Sequence, residues 1–230
     1  MPAQPRHVHP TAPLAPRALL TGDPGRALAL AQLLTSEPKM FNHNRGLWGY
    51  TGVAADGAPL TIMCHGMGGP CAAIVLEELC DLGLERAVRI GSCGALQPSV
   101  KIGELICASE VIGADGTSQA LQGEGQLKPD STLAASLTQA ADQTGPIVSA
   151  DLFYERGEER IEQWKRLGAI AVEMEAAALL AVAQLRSLPL AVLLMVTDAS
   201  AGGGERLEGD ALEIATERLG HAGLEALLNR

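Results

Sequence analysis

Short Val/Leu runs alternate along this chain with Ala/Leu-rich stretches, and glycine-bearing turns separate them. That alternation points to an α/β protein, because strands and helices that follow one another must share a single core. Aromatic residues make up only 3% of a chain that is 47% hydrophobic, so the core must be built from Ala, Val, Leu and Ile. A length of 230 residues suits one large or two small domains and does not choose between them.

The first sixteen residues contain five prolines and read as an extended arm, since proline blocks both helices and strand ladders. A strand (Arg17–Leu20), the turn Thr21-Gly22-Asp23-Pro24-Gly25 and a helix from Arg26 to Leu34 follow, with Asp23 as cap and Pro24 in the first turn. Further strands are expected at Trp48–Ala55, Pro59–Cys64, Arg86–Ile90, Glu104–Ser109, Pro146–Ala150, Ala169–Val172 and Leu190–Val196. Helices are expected from the Gly-rich loop at His65–Pro70 to about Gly83, and at Ser131–Gln143, Glu158–Leu167, Ala176–Leu185 and Asp210–Leu228. Gly91-Ser92-Cys93-Gly94 reads as a turn, and the polar stretch up to Lys128 as a loop. No repeat and no linker interrupts the chain, so residues 1–230 are expected to form one domain with a mixed central sheet.

The net charge is −10 and no Lys/Arg-rich run exists, which excludes ordinary nucleic-acid binding, where a basic patch must neutralise phosphates. The five cysteines include no CxxC pair, and the five histidines show no metal-ligand spacing, so neither a disulfide scaffold nor a metal is expected. The N-terminus lacks an apolar signal core, and no apolar run approaches the ~20 residues that span a bilayer. A soluble cytoplasmic protein is expected.

Five local features carry potential chemistry. The Gly22–Arg26 turn at a helix start offers free N–H groups, a positive dipole end and an Arg, which together make an anion site; taken alone, an ordinary strand–helix turn explains it as well. Arg89 lies in an apolar strand, where it needs a buried partner. It could serve a ligand at the strand's carboxyl end or sit in an edge-strand salt bridge. Glu173 and Glu175 flank Met174 at a strand–helix junction and could hold sugar hydroxyls or simply complement a helix dipole. Asp198, at the mouth of the apolar strand, suits a general acid or a turn cap. Phe153 and Tyr154 could pack the core or face a planar base. His65 reads as structural.

In this order, the segments Gly22-Asp23-Pro24-Gly25-Arg26, Asn44-Arg45-Gly46, His65-Gly66-Met67-Gly68-Gly69-Pro70, Arg89-Ile90-Gly91-Ser92-Cys93-Gly94-Ala95, Ser149-Ala150-Asp151-Leu152-Phe153-Tyr154 and Val172-Glu173-Met174-Glu175-Ala176 resemble the nucleoside phosphorylase superfamily, in its bacterial hexameric purine nucleoside and uridine phosphorylase branch. The resemblance runs from about residue 7 to the C-terminus. It implies a partly barrel-like mixed sheet flanked by helices, and phosphorolysis of a nucleoside to free base and ribose 1-phosphate, with inorganic phosphate as co-substrate and no cofactor.

By that resemblance Gly22, Arg26, Arg89 and Ser92 bind phosphate, joined by Arg45 from a neighbouring subunit. Met174 and Glu175 hold the ribose, and Phe153 flanks the base with Glu173 and Tyr154 nearby. Asp198 matches the acid that protonates a purine at N7, with Thr197 beside it retaining a hydroxyl, and Arg206 matches the Arg that assists it across a shortened Gly202-Gly203-Gly204 connection. His7, or alternatively His9, would reach the partner's ribose 5′-hydroxyl. The implied assembly is a hexamer, a trimer of dimers with shared sites. A uridine phosphorylase, a nucleosidase of the same fold and an inactive binding protein are the competing readings.

Overall fold

The computed structural model describes residues 5–122, 126–199 and 205–228. The arm's first four residues and the Gly202–Gly204 connection lie outside them. Ten strands run β1 (Arg17–Thr21), β2 (Thr35–Asn42), β3 (Gly49–Ala54), β4 (Pro59–Cys64), β5 (Arg86–Ala95), β6 (Leu105–Ala114), β7 (Gln126–Leu127), β8 (Gln143–Ala150), β9 (Ala171–Glu173) and β10 (Leu190–Ala199). Seven α-helices alternate with them: α1 (Pro24–Leu34), α2 (Gly69–Asp81), α3 (Gly116–Gln122), α4 (Ser131–Ala140), α5 (Glu158–Arg166), α6 (Ala176–Arg186) and α7 (Gly209–Leu228).

All ten strands belong to one mixed sheet in the order β10-β6-β8-β9-β5-β1-β4-β3-β2, with β7 paired to β6. A further pairing of β10 with β5 closes five of the strands into a barrel. The wing β1-β4-β3-β2 extends from β5. Strands β1, β4, β5 and β10 are mutually parallel, so their carboxyl ends gather at one edge. Among the described residues no helix is long and apolar enough to cross a membrane.

Local chemistry explains the elements. In α1 the Asp23 carboxylate accepts from the Arg26 N–H at 2.6 Å, and Ala27, Leu30, Ala31 and Leu34 form the buried stripe. The first eight residues of α6, Ala176–Ala183, are all buried, the pattern of a helix enclosed on every side. The core is aliphatic as the composition requires, with Phe41, Tyr50 and Trp164 as buried aromatic exceptions.

Three expectations need correction. Residues 35–42 form the edge strand β2, which the polar Ser36-Glu37-Pro38-Lys39 sequence concealed; an edge strand tolerates such residues because one side of its ladder is unpaired. Gly91-Ser92-Cys93-Gly94 is not a turn but the continuation of β5, held between β10 and β9. The same pairings make β5 an interior strand, which removes the edge-strand explanation of Arg89. The stretch taken as a loop up to Lys128 instead holds the end of β6 together with α3 and β7.

Candidate active site

The parallel edge brings the end of β1 against the end of β4. The His65 N–H donates to the Thr21 carbonyl at 2.8 Å. A β-carbon on Gly22 would stand 3.4 Å from the Gly66 carbonyl oxygen and 3.7 Å from His65 Cε1, so the turn is seated directly on the His65 loop. Arg26 lies in the first turn of α1 and is half-buried. Its guanidinium has no hydrogen-bond or ion-pair partner among the described residues. Burial lowers its pKa, Asp23 opposes the shift, and the Arg89 charge adds to it. The Arg26 guanidinium therefore feels the opposed charges of Asp23 and Arg89 close to a helix N-terminus.

Arg89 is almost wholly buried, at 2% exposure. Its Nε and Nη2 donate to Glu173 Oε2 at 3.1 and 2.7 Å, Nη2 also donates to Glu175 Oε2 at 2.7 Å, and Nη1 meets His65 Nε2 at 2.8 Å. A β-carbon on Gly91, two residues along the same face of β5, would lie 2.9 Å from Nη2, so only glycine leaves room for the guanidinium. Glu173 is occupied on both oxygens. Besides Arg89 it accepts from the Glu175 and Ala176 N–H groups at the start of α6 and from the Ser149 hydroxyl. Glu175 Oε1 accepts from the Gly68 N–H at 2.6 Å. Burial raises the Glu175 carboxyl above its ordinary pKa, with Arg89 opposing and Glu173 adding to the shift.

Asp198 follows a register shift in the β10–β5 ladder and pairs with Gly94. A β-carbon there would stand 2.9 Å from Asp198 Oδ1, so Gly94 leaves the space the carboxylate fills. The Thr197 hydroxyl lies 2.9 Å from Asp198 Oδ2. Despite the short connection, Arg206 is returned to Asp198 through an isolated antiparallel bridge, reinforced by the Leu207 N–H donating to the Thr197 carbonyl at 2.7 Å. Ser92 sits beside Met195 in the same ladder and, like Met174, is half-buried.

The remaining sequence-predicted residues lie elsewhere. Phe153 and Tyr154 form an edge-to-face pair with centroids 5.0 Å apart and are 58% and 78% exposed, so they are not core residues of this chain. His7 is tied down by Glu78, which accepts from His7 Nδ1 at 2.7 Å and from the backbone N–H groups of Arg6, His7 and Val8. The His9 ring instead turns back to the Arg6 carbonyl. The His7 carbonyl accepts from Asn44 Nδ2 at 2.8 Å, which places His7 next to the Asn44–Gly46 turn, where Arg45 is exposed in a left-handed conformation at φ 58°. Among the described residues, neither the His7 nor the Arg45 side chain hydrogen-bonds to the Arg26–Arg89 group.

Residues 16–229 match the phosphorylase superfamily. The chain belongs to that family. It is 35% identical to a guanosine phosphorylase from Halorubrum lacusprofundi over 74% of this chain and 73% of that protein. It is 31% identical to a DeoD-type purine nucleoside phosphorylase from Caldanaerobacter subterraneus over 80% and 83% of the two chains. It is 32% identical to a uridine phosphorylase from Treponema pallidum over 77% and 75%. The crystal structure of uridine phosphorylase from Vibrio fischeri superposes with a TM-score of 0.83, covering 94% of this chain and 92% of that one at 24% identity.

For this nucleoside phosphorylase family member, the sequence reading did not anticipate three contributors to the site. His65, which reads as structural, meets Arg89 through Nε2 and has its backbone N–H on the Thr21 carbonyl next to Gly22. Ser149, which in sequence is only the first residue of the Ser149–Tyr154 segment, donates to Glu173. Gly94 was read as a turn residue, whereas it leaves the space for Asp198. Each acts through a partner distant in sequence, and the only local signal was a polar or glycine residue inside an apolar strand or a Gly-rich loop.

Proposed function

We propose that this chain is a purine nucleoside phosphorylase: inorganic phosphate attacks the anomeric carbon of a (deoxy)ribonucleoside, releasing the base and (deoxy)ribose 1-phosphate. The observation that carries this reading is Arg26, a half-buried guanidinium with no hydrogen-bond or ion-pair partner among the described residues, whose pKa burial and the Arg89 charge lower against the pull of Asp23. A bound anion would relieve that repulsion and present its oxygens to the helix N-terminus. Water as the nucleophile would give such a pair nothing to do.

In this scheme Gly22, Arg26, Arg89 and Ser92 hold phosphate beside the developing oxocarbenium ion, so the nucleophile also stabilises it electrostatically. Met174 and Glu175 hold the ribose, and the exposed Phe153, with Tyr154, flanks the base. Asp198 gives its proton to N7, assisted by Arg206 across the bridge between them. A partner subunit supplies Arg45 and His7 within a cytoplasmic hexamer, and His7 is favoured over His9 because Glu78 holds its ring in place. Glu173 takes a changed part: with both oxygens engaged inside the protein, it supports Arg89 rather than the base.

Purines are favoured by Asp198 and by relatives named guanosine and purine nucleoside phosphorylase; the relative named uridine phosphorylase supports the pyrimidine alternative. The test is base release from inosine, guanosine, adenosine and uridine with and without phosphate. Phosphate-dependent cleavage of the purine nucleosides is expected. Cleavage of uridine alone would make it a uridine phosphorylase, and undiminished turnover without phosphate would make it a nucleosidase. Sedimentation as a fully active monomer would overturn the shared site.

A further inference from the structure

We propose that His65 is a positioning residue for the anion site, an imidazole in the Nδ1–H tautomer whose Nε2 lone pair holds Arg89 so that one Nη1 N–H remains free for phosphate. This deepens the phosphorolysis reading and rests on it.

The tautomer follows from the two partners. His65 Nδ1 lies 2.8 Å from the Gly66 carbonyl oxygen, which can only accept, so Nδ1 carries the hydrogen. Nε2 lies 2.8 Å from Arg89 Nη1, which can only donate, so Nε2 presents its lone pair. The ring is fully buried, and burial together with the Arg89 charge holds its pKa well below the usual histidine range. Proton uptake would set an N–H against a guanidinium N–H at Nε2.

The guanidinium has five N–H groups. Nε and one Nη2 hydrogen serve Glu173, the other Nη2 hydrogen serves Glu175, and one Nη1 hydrogen serves His65. One Nη1 hydrogen is left without a partner among the described residues. A third carboxylate at position 65 would grip Arg89 as well, but beside Glu173 and Glu175 it would add a further negative charge that repels an anion. A neutral acceptor orients the group without adding to that charge. The same ring lies where a side chain on Gly22 would meet it, and the His65 backbone ties β4 to β1 through Thr21, so one residue links both halves of the site.

The experiment uses the full chain with inorganic phosphate as the probe, in calorimetric titration and in steady-state kinetics. His65→Asn keeps an amide near Nδ1 for the Gly66 carbonyl but falls short of Arg89, whereas His65→Gln places a side-chain oxygen near Nε2. His65→Asn is expected to weaken phosphate binding and raise the phosphate KM by about tenfold or more, the worth of one hydrogen bond to a charged group. The nucleoside KM should stay within about twofold, and His65→Gln should recover most of the phosphate affinity. Equal phosphate affinity in the Asn and Gln variants, or equal losses for phosphate and nucleoside, would overturn the proposal. A wild-type protein that neither binds nor uses phosphate would instead overturn the phosphorolysis reading itself, so the two failures are distinct.

Discussion

Arg89 Nε and Nη2 converge on a single oxygen of Glu173, at 3.1 and 2.7 Å, with both side chains almost entirely out of water. The pair joins β5 to the start of α6, because the same carboxylate accepts from the Glu175 and Ala176 N–H groups. Removing it strands a buried cation and uncaps a helix together. Glu173→Ala is expected to cost about 3–5 kcal/mol, the range for breaking one side of a buried ion pair. Urea unfolding at neutral pH measures this, and a loss below about 1 kcal/mol would show that Glu175 alone suffices for Arg89.

Gly94→Ala tests the Asp198 geometry without touching the acid. The added methyl would stand 2.9 Å from Asp198 Oδ1, so the carboxylate must turn aside. Turnover of purine nucleosides should fall by about tenfold or more while the phosphate dissociation constant stays unchanged. An unaltered kcat would remove Asp198 from the proposed proton transfer.

His65 gives stability a defined pH dependence. Its folded pKa is depressed, first by burial and then by Arg89, with Arg26 adding to the effect. The unfolded chain takes up a proton below the ordinary value of 6.5, and the folded chain does not. This contribution is present above that value and lost as pH falls towards the folded pKa. Glu175 works in the opposite sense: its raised carboxyl contributes stability that is present below its ordinary value of 4.5 and lost as pH rises through the folded pKa. The melting temperature of the wild type should drop more steeply than that of His65→Gln between about pH 7 and 5. Parallel curves for the two proteins would contradict the buried neutral ring.

Arg45 stands in a left-handed conformation that glycine adopts freely. Arg45→Gly should therefore raise stability by about 1 kcal/mol or less while increasing the phosphate KM by about tenfold. If Arg45 serves a neighbouring subunit, mixing Arg45→Gly with an inactive Arg26→Ala protein and reassembling them should restore part of the activity. No recovery on mixing would place both residues in one subunit's own site.

Much of the fold was legible where the governing interactions are local. Pro24 and the Asp23 cap announce α1 within a few residues, and the apolar run from Leu190 announces β10. The strand β2 was illegible because Glu37, Pro38 and Lys39 form no apolar pattern, and pairing with β3 alone makes the segment a strand. The extent of β5 was misjudged because Gly91 and Gly94 read as turn residues. Their actual reason is steric: one makes room for the Arg89 guanidinium, the other for the Asp198 carboxylate.

The sequence by itself determined the α/β class, the aliphatic core, the Asp23-capped turn from Gly22 to Arg26 and the family resemblance. These follow from short-range chemistry or from motif order. Only the tertiary structure decided what surrounds Arg89. Closure of β10 on β5 makes β5 an interior strand, and His65 from the end of β4 and Glu173 and Glu175 from the β9–α6 junction then reach the guanidinium. An ion pair of this kind depends on burial and on distances between remote residues, and neither is written in local sequence. Arg89 is therefore a lone charge in an apolar run until the barrel closes, when His65, Glu173 and Glu175 hold it.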